Sequence, residues 1–509
     1  MLVIVDYKMG NLQSVKRKLD KLGVESMISS DPKDILNASK LILPGVGHFG
    51  TAMKNLHDLN LIDALNEAVL VKKTPILGIC LGMQLMARTS EEATALDTPS
   101  ITFQALDQRV IHQTNRITDD QVTDEGGSIE GGLGWFDAEV VKFQQKDTLR
   151  FKTPHTGWNT VSIEKESPLF KDIPDHSEFY FVHSYYFKTN DQKDVLNYTE
   201  YGDHFVSAVS KDNIFGVQYH PEKSHDVGIQ ILKNFVTGGF ENISHQHESN
   251  TLAEALEVND TSPILRPRII PVLLLQKRSL VKTQQFKNPK YIGDPINAVR
   301  IFNELKADEL VFLDIDASKE KRLISLDFVK DVGEEANMPF AVGGGIRSVE
   351  DIRKIIAAGA EKVIICSYAI ENPEFIREAA AAFGSSTIVV CIDVKKKLFG
   401  GLQTWSNAGT KTSGFTPIEF AKLMEEKGAG EIIIQSIERD GQMAGYDIAL
   451  IKQISEAVKV PVIALGGAGN IQHLKEGFQQ GFANGLAGGS MFVFQGPKRG
   501  VLISYPERN

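Results

Sequence analysis

The sequence predicts an α/β protein of two domains, with a (β/α)8 barrel as the second. At 509 residues the chain exceeds a single core, because domains average about 150 residues. From Arg268 onward, short β-branched runs alternate with helical stretches, eight times in about 240 residues, which is the arithmetic of an eightfold barrel. In the first half, the apolar run Pro75-Ile76-Leu77 leads into Gly78-Ile79-Cys80-Leu81-Gly82 and then Met83-Gln84-Leu85-Met86. That stretch reads as a strand turning sharply into a helix.

The first element, Leu2-Val3-Ile4-Val5-Asp6, reads as a buried strand rather than a signal peptide, since it lacks a basic leading region and a cleavage site. At the elbow, a glycine on each side of Cys80 lets the backbone fold tightly and hold a nucleophile over a pocket. A thiol at a helix N-terminus feels the positive end of the helix dipole, which favours the reactive thiolate. The plain alternative is a small buried cysteine after a core strand. Gly216-Val217-Gln218-Tyr219-His220-Pro221-Glu222-Lys223-Ser224 shifts the balance. A histidine followed two positions later by a carboxylate supplies a general base and an acid to orient it.

The order Cys80, His220, Glu222 resembles the class I glutamine amidotransferases, whose triad hydrolyses the amide of glutamine through a thioester. Asp6-Tyr7-Lys8-Met9-Gly10-Asn11-Leu12, Leu43-Pro44-Gly45-Val46-Gly47, Gly157-Trp158-Asn159 and Phe181-Val182-His183-Ser184-Tyr185-Tyr186 narrow this. They resemble the glutaminase subunit of imidazole glycerol phosphate synthase. The resemblance implies an open, mostly parallel sheet with flanking helices over residues 1–238, and glutamine as substrate. The expected oxyanion donors are backbone N–H groups near Gly45, Val46, Gly47 and Leu81.

Gly238-Gly239 opens a polar segment with little to bury, so residues 239–266 read as a linker and 267–509 as the second domain. The strand candidates there are Ile269-Leu275, Glu309-Asp314, Phe340-Val342, Lys362-Cys366, Ile388-Asp393, Glu431-Ile434, Val462-Leu465 and Asn484-Ala487. A doubly wound open sheet competes with the barrel, and periodicity alone does not separate them. Two internal echoes favour the barrel. Val342-Gly343-Gly344-Gly345-Ile346 is mirrored by Leu465-Gly466-Gly467-Ala468-Gly469, and Phe312-Leu313-Asp314-Ile315-Asp316 by Val390-Cys391-Ile392-Asp393-Val394. Each Gly-rich stretch follows a strand and precedes a helix, so its N–H groups can cradle a phosphate, although glycines also simply make tight turns. Two such loops at symmetric positions suggest a ligand with a phosphate at each end.

Val342-Gly-Gly-Gly-Ile-Arg347, Ser436-Ile-Glu-Arg-Asp-Gly441, Gly445-Tyr-Asp447 and Ala464-Leu-Gly-Gly-Ala-Gly469 make this half similar to the cyclase subunit of the same synthase. In that family ammonia released at the thiol passes through the barrel core to the far face. The resemblance implies a gate of Arg268, Glu309, Lys362 and Glu431 at the barrel floor; the blander reading is surface charge near strand ends. It implies phosphate contacts at Gly344, Gly345, Ser367, Gly441, Gly467, Gly469, Gly489 and Ser490, and an acid–base role for Asp393. It also exposes departures. Leu274 stands where the family has its other catalytic aspartate, Ile364 and Cys366 replace polar positions, and Arg278-Ser279 replaces a Gly-Arg pair beside the retained Lys282.

Pro271-Val-Leu-Leu-Leu275, Phe286-Lys-Asn-Pro-Lys-Tyr-Ile-Gly-Asp-Pro295 and Met491-Phe-Val-Phe-Gln-Gly-Pro497 resemble cyclase paralogues associated with sugar amidation in surface-polysaccharide pathways. The implied partners are a phosphorylated or sugar acceptor and a separate amidotransferase that accepts the ammonia. Three functional classes follow: an ammonia-delivering enzyme for a non-histidine acceptor, which Leu274 favours; a true imidazole glycerol phosphate synthase with a displaced catalytic residue; and a non-catalytic scaffold, which the complete triad opposes. Residues 93–130 read as a longer loop than typical glutaminases carry, solvated around Asp119-Asp120.

Composition narrows the rest. Hydrophobic residues at 42% and charged residues at 24% are ordinary for a globular protein. A net charge of -10 argues against a nucleic-acid partner, and no apolar run is long enough to span a bilayer. Cys80, Cys366 and Cys391 give neither a disulfide framework nor a metal spacing, so no metal or cofactor is expected and the location expected is the cytoplasm.

Overall fold

The computed structural model describes residues 1–94, 131–239, 266–397, 400–496 and 498–506. Most of the expected loop at 93–130 and of the expected linker at 239–266 lies outside the described residues.

Alternation along short strands builds the first sheet. In Leu2–Val5, Leu2 and Ile4 join one apolar cluster with Val15, Leu19 and Phe235, while Val3 and Val5 join the opposite cluster with Ala52, Leu56 and Leu65. Helices Leu12–Lys21 and His225–Thr237 therefore cover one face, and Phe49–Asp58 with Leu61–Asn66 the other. Ser26–Ser29, Leu2–Val5, Lys40–Gly45, Ile76–Cys80 and Ile214–Val217 run parallel in that spatial order. Antiparallel strands continue the sheet through Asp203–Lys211, Tyr185–Thr189 and Ala138–Lys142. The sheet is open, with Cys80 at the C-terminal end of a central parallel strand.

The second half is a closed barrel. Its parallel strands are Arg268–Gln276, Leu310–Asp314, Phe340–Gly343, Lys362–Ile365, Ile388–Lys396, Glu431–Ser436, Val462–Leu465 and Gly485–Gly488. Each pairs with the next, and Arg268 opposite Gly485 closes the ring, which removes the open-sheet alternative. Parity again sorts the side chains. Leu273, Phe312, Val342, Val363, Val390 and Ile432 face the helices, whereas Ile270, Val272, Leu274, Val311, Ile364, Val389 and Cys391 fill the interior. Capping boxes at Ser348–Asp351 and Thr416–Glu419 start two of the outer helices. Two hairpins that periodicity did not foresee rise after the first and fifth strands, at Ser279–Gln284 with Lys287–Gly293 and at Leu402–Ser406 with Lys411–Thr412.

The glutaminase-like half docks on the N-terminal ends of the barrel strands. Trp158 Nε1 donates to the Asp308 carbonyl at 3.0 Å and Asn11 Nδ2 to the Gly359 carbonyl at 2.8 Å. The buried Lys152 ammonium donates to the carbonyls of Ser455 at 2.6 Å and Val458 at 2.5 Å. These carbonyls end the helix Ile448–Ala457, where its dipole favours a cation. Lys223 pairs with Glu361 at 2.6 Å, both buried.

Candidate active site

Cys80 adopts φ 53° and ψ −110°, a conformation costly for a residue with a Cβ and sustained only by the packing around it. The flanking glycines are demanded by close approach. A Cβ on Gly82 would lie 1.7 Å from the Leu43 carbonyl oxygen, and one on Gly78 2.8 Å from the Gly82 backbone. The helix that follows is Leu81–Gln84, which starts earlier than the expected Met83–Met86 and spans a single turn, so its dipole is small.

His220 Nδ1 and Glu222 Oε1 are 2.8 Å apart, both side chains almost fully buried. Burial pulls the His220 pKa down, but the Glu222 carboxylate and the Cys80 sulfur outweigh it and hold the imidazole well above its ordinary value. Burial likewise raises Glu222, while His220 and Lys223 bring it below the usual carboxylate range. His220 Nε2 is buried without a well-formed hydrogen bond, which leaves it free for the thiol and its substrate. Gln218, quoted in the sequence motif but given no role there, donates from Nε2 to Cys80 Sγ at 3.6 Å and is braced by Gln84 at 3.1 Å. Its place two residues before His220 is the signal that could have found it.

Gly45 lies opposite Cys80 in the parallel register, and a Cβ there would strike the Tyr7 hydroxyl at 2.0 Å. Val46, Gly47 and Leu81 line the same cleft as Cys80, about 880 Å³ and closed on its other side by Arg377, Gly428 and Lys459 of the barrel. Gly45 sets the close approach of the two strands and does not line the cleft.

At the barrel floor the four charged residues form one ring. Arg268 bonds Glu431 at 2.5 Å and also Glu309, and Lys362 bonds Glu309 at 3.2 Å and Glu431 at 3.1 Å. All four are buried and share inward parity with Ile270, Val311, Ile364 and Ile433, so surface charge is excluded. Glu309 sits one residue ahead of its strand. Burial raises its pKa, but Lys362 and Arg268 bring it below the usual range. Tyr180, absent from the sequence reading, lies between the two sites, 6.4 Å from the His220 ring and 6.0 Å from the Lys362 ammonium.

At the opposite end, Lys282, Gly441, Gly467, Gly489 and Ser490 surround a cavity of about 20 Å³ that Leu274 also lines. Lys282 is buried and makes no ion pair among the described residues, and the buried Ser490 hydroxyl has no partner. The Asp440 carboxylate lines the same cavity and acts on the Lys282 ammonium through its charge. Gly469 does not line it; a Cβ there would meet the Met443 carbonyl oxygen at 2.5 Å. On the other side, Gly344 and Gly345 have φ of 145° and 69° and pack against Asp314 and Arg322, while Ser367 Oγ accepts from Asn407 N at 3.0 Å. Asp393 is buried across the barrel from Leu274, its pKa pushed up to about 7 by desolvation against two thiol hydrogen bonds that lower it. The donors are Cys366, 3.4 Å from Oδ2, and Cys391, 3.8 Å from Oδ1. The sequence spacing gave no sign of this cluster.

Fold and site together define a class I glutamine amidotransferase joined to a (β/α)8 barrel. The family described as glutamine amidotransferase class-I matches residues 3–238, and that described as histidine biosynthesis protein matches residues 268–496. The barrel is 47% identical over 246 residues to a Pseudomonas aeruginosa protein named "Putative imidazole glycerol phosphate synthase subunit hisF2", covering 48% of this chain and 98% of that one. It is 47% identical over 244 residues to a Leptospira borgpetersenii protein named "Putative imidazole glycerol phosphate synthase subunit HisF", covering 48% and 96%. The imidazole glycerol phosphate synthase subunit HisF of Alkaliphilus metalliredigens is 44% identical over 231 residues, covering 45% and 92%. The chain belongs to the imidazole glycerol phosphate synthase family, with the amidotransferase and cyclase-like parts in one polypeptide. Among the described residues, no helix is long and apolar enough to cross a membrane.

Proposed function

We propose that the chain hydrolyses glutamine at Cys80 and sends the ammonia through the barrel to an acceptor other than the family's cyclase substrate. The Cys80 sulfur attacks the carboxamide carbon while His220, protonated and held by Glu222, gives its proton to the departing nitrogen. Ammonia leaves, and a thioester remains. His220, now neutral, takes a proton from water, which attacks the thioester and releases glutamate with the thiol restored. Backbone N–H groups of Val46, Gly47 and Leu81 stabilise the oxyanion in both halves.

Ammonia leaves as a neutral molecule and suits an apolar path. The interior column above the ring, Ile270, Val272, Ile364 and Ile433, supplies one, and the ring of Arg268, Glu309, Lys362 and Glu431 must part to open it. At the mouth, Lys282, Gly467, Gly489 and Ser490 favour a phosphorylated ligand.

Leu274 carries the choice of acceptor. Ring closure in the family uses two carboxylates, and here an apolar side chain faces Asp393, whose own oxygens are engaged by Cys366 and Cys391. A leucine neither moves a proton nor favours a polar substrate beside it. The fitting recipient is a separate enzyme that amidates a sugar. Complementation of a histidine auxotroph tests this, with no growth expected and growth at the wild-type rate contradicting it. The second reading is imidazole glycerol phosphate synthesis with Asp393 as sole acid and base. A pKa near neutrality and the name of the Alkaliphilus relative favour that reading.

A further inference from the structure

Ile365 pairs with Val390 across the fourth and fifth barrel strands, so the residues that follow them, Cys366 just past its strand and Cys391 within its own, stand side by side. Cys391 belongs to the interior cluster of the barrel, and the half-buried Cys366 packs against it. Asp393, two residues beyond Cys391, completes a trio in which one ligand atom from each residue lies within 4.8 Å of the others. Cys366 Sγ is 3.4 Å from Asp393 Oδ2, and Cys391 Sγ is 3.8 Å from Oδ1. A tetrahedral zinc, with Zn–S about 2.3 Å and Zn–O about 2.0 Å, has sulfur–oxygen edges of about 3.5 Å and sulfur–sulfur edges of about 3.8 Å. The two sulfur–oxygen distances, 3.4 and 3.8 Å to the two carboxylate oxygens, lie close to that edge, and the remaining separation is within 4.8 Å. Among the described residues, no other group of histidines, cysteines and carboxylates gathers this way, and no lysine, arginine or histidine bonds any of the three.

We propose that Cys366, Cys391 and Asp393 bind one thiophilic divalent cation, zinc foremost, with the fourth position open toward the barrel mouth. Two sulfur donors select zinc over magnesium or calcium, whose sites are built from oxygen. Three protein ligands leave a place for water or for an oxygen of the acceptor, which the ion would polarise as a Lewis acid. The cation also supplies the charge that two thiols and a carboxylate lack in this buried position. This site rests on the acceptor reading above, because a carboxylate that ligates an ion is not also the acid and base of ring closure.

The test uses the full chain, kept reduced, stripped with a chelator and then given Zn²⁺ or Co²⁺ alone. About one ion per chain should be retained, and Co²⁺ should show thiolate-to-metal charge transfer with intense tetrahedral bands. Cys366→Ala and Cys391→Ala should each abolish that spectrum, with circular dichroism verifying the fold. In the intact chain, Zn²⁺ should slow alkylation of Cys366 and Cys391 by at least about tenfold, as mapped by peptide. Cobalt without charge transfer, retention below about a tenth of an ion, or a spectrum that follows Cys80 instead would overturn the proposal. So would a Cys366–Cys391 disulfide that persists in the reduced, zinc-loaded protein.

Discussion

The Tyr180 ring of the amidotransferase half faces the Lys362 ammonium of the barrel at 6.0 Å. Burial and the nearby Glu309 hold the Tyr180 hydroxyl well above its ordinary pKa, so it stays neutral between the triad and the charged ring. The boundary between catalytic cleft and barrel floor is thus an uncharged aromatic side chain next to a self-neutralised ring of charge.

Cys80 should be the residue acylated by a glutamine-analogue electrophile. Cys80→Ala should remove glutaminase activity while the thermal unfolding midpoint changes little, since one sulfur is lost from a strained elbow. Mass mapping that places the label on Cys366 or Cys391 would count against the assignment.

His220→Ala should cost about 10²–10⁴ in glutamine turnover, and Glu222→Ala less, because the carboxylate orients and stabilises the imidazolium without taking its proton. The pair also carries a pH signature. His220 is raised, so its contribution to stability is complete below the unfolded value and is lost as pH rises through the folded one. Glu222 is lowered, so its contribution is present above the unfolded value and is lost as pH falls through the folded one. Unfolding measured against pH should show both losses in the wild type. Glu222→Gln should flatten the profile; an unchanged profile would contradict the pairing.

Lys362→Met should uncouple the two halves. Glutamine is still hydrolysed, but the ammonia escapes, so amidated product falls with glutamine and persists with added ammonium salt. Breaking a buried ion pair costs about 3–5 kcal/mol, so the unfolding midpoint should be read alongside. Equal loss with both nitrogen sources would assign the ring a structural role only.

Alternation and spacing made most of this visible in advance. The eight β-branched runs gave the parallel strands, which are buried on both faces and need little else to mark them, and the two internal echoes favoured a barrel over an open sheet. The elbow and the His220–Glu222 pair are local, so their geometry is written in adjacent residues. What stayed hidden depends on residues distant in sequence. Cys366 and Cys391 meet only through the register of two neighbouring strands, and Tyr180 gains its place only once the halves dock. The hairpin at Lys287–Gly293 escaped because its residues are mostly exposed and show no apolar periodicity.

Lys282 should hold the phosphate of a bound ligand. Lys282→Ala should weaken binding of inorganic phosphate, read by calorimetry, by at least about tenfold. Burial lowers the Lys282 pKa, partly offset by Asp440, so affinity should fall on the alkaline side earlier than for an exposed lysine. Affinity that does not change in the variant would place the anion elsewhere.

The central claim is that the barrel has lost ring closure while the amidotransferase is intact. The direct measurement is formation of imidazole glycerol phosphate from the family's cyclase substrate with ammonium salt as nitrogen source, wild type beside Leu274→Asp, with glutamine hydrolysis assayed on the same preparations. The account predicts hydrolysis in both proteins and cyclisation at least about 10²-fold below that of a family member carrying both aspartates, the size of one missing acid or base. Cyclisation at a full rate by the wild-type chain would contradict it.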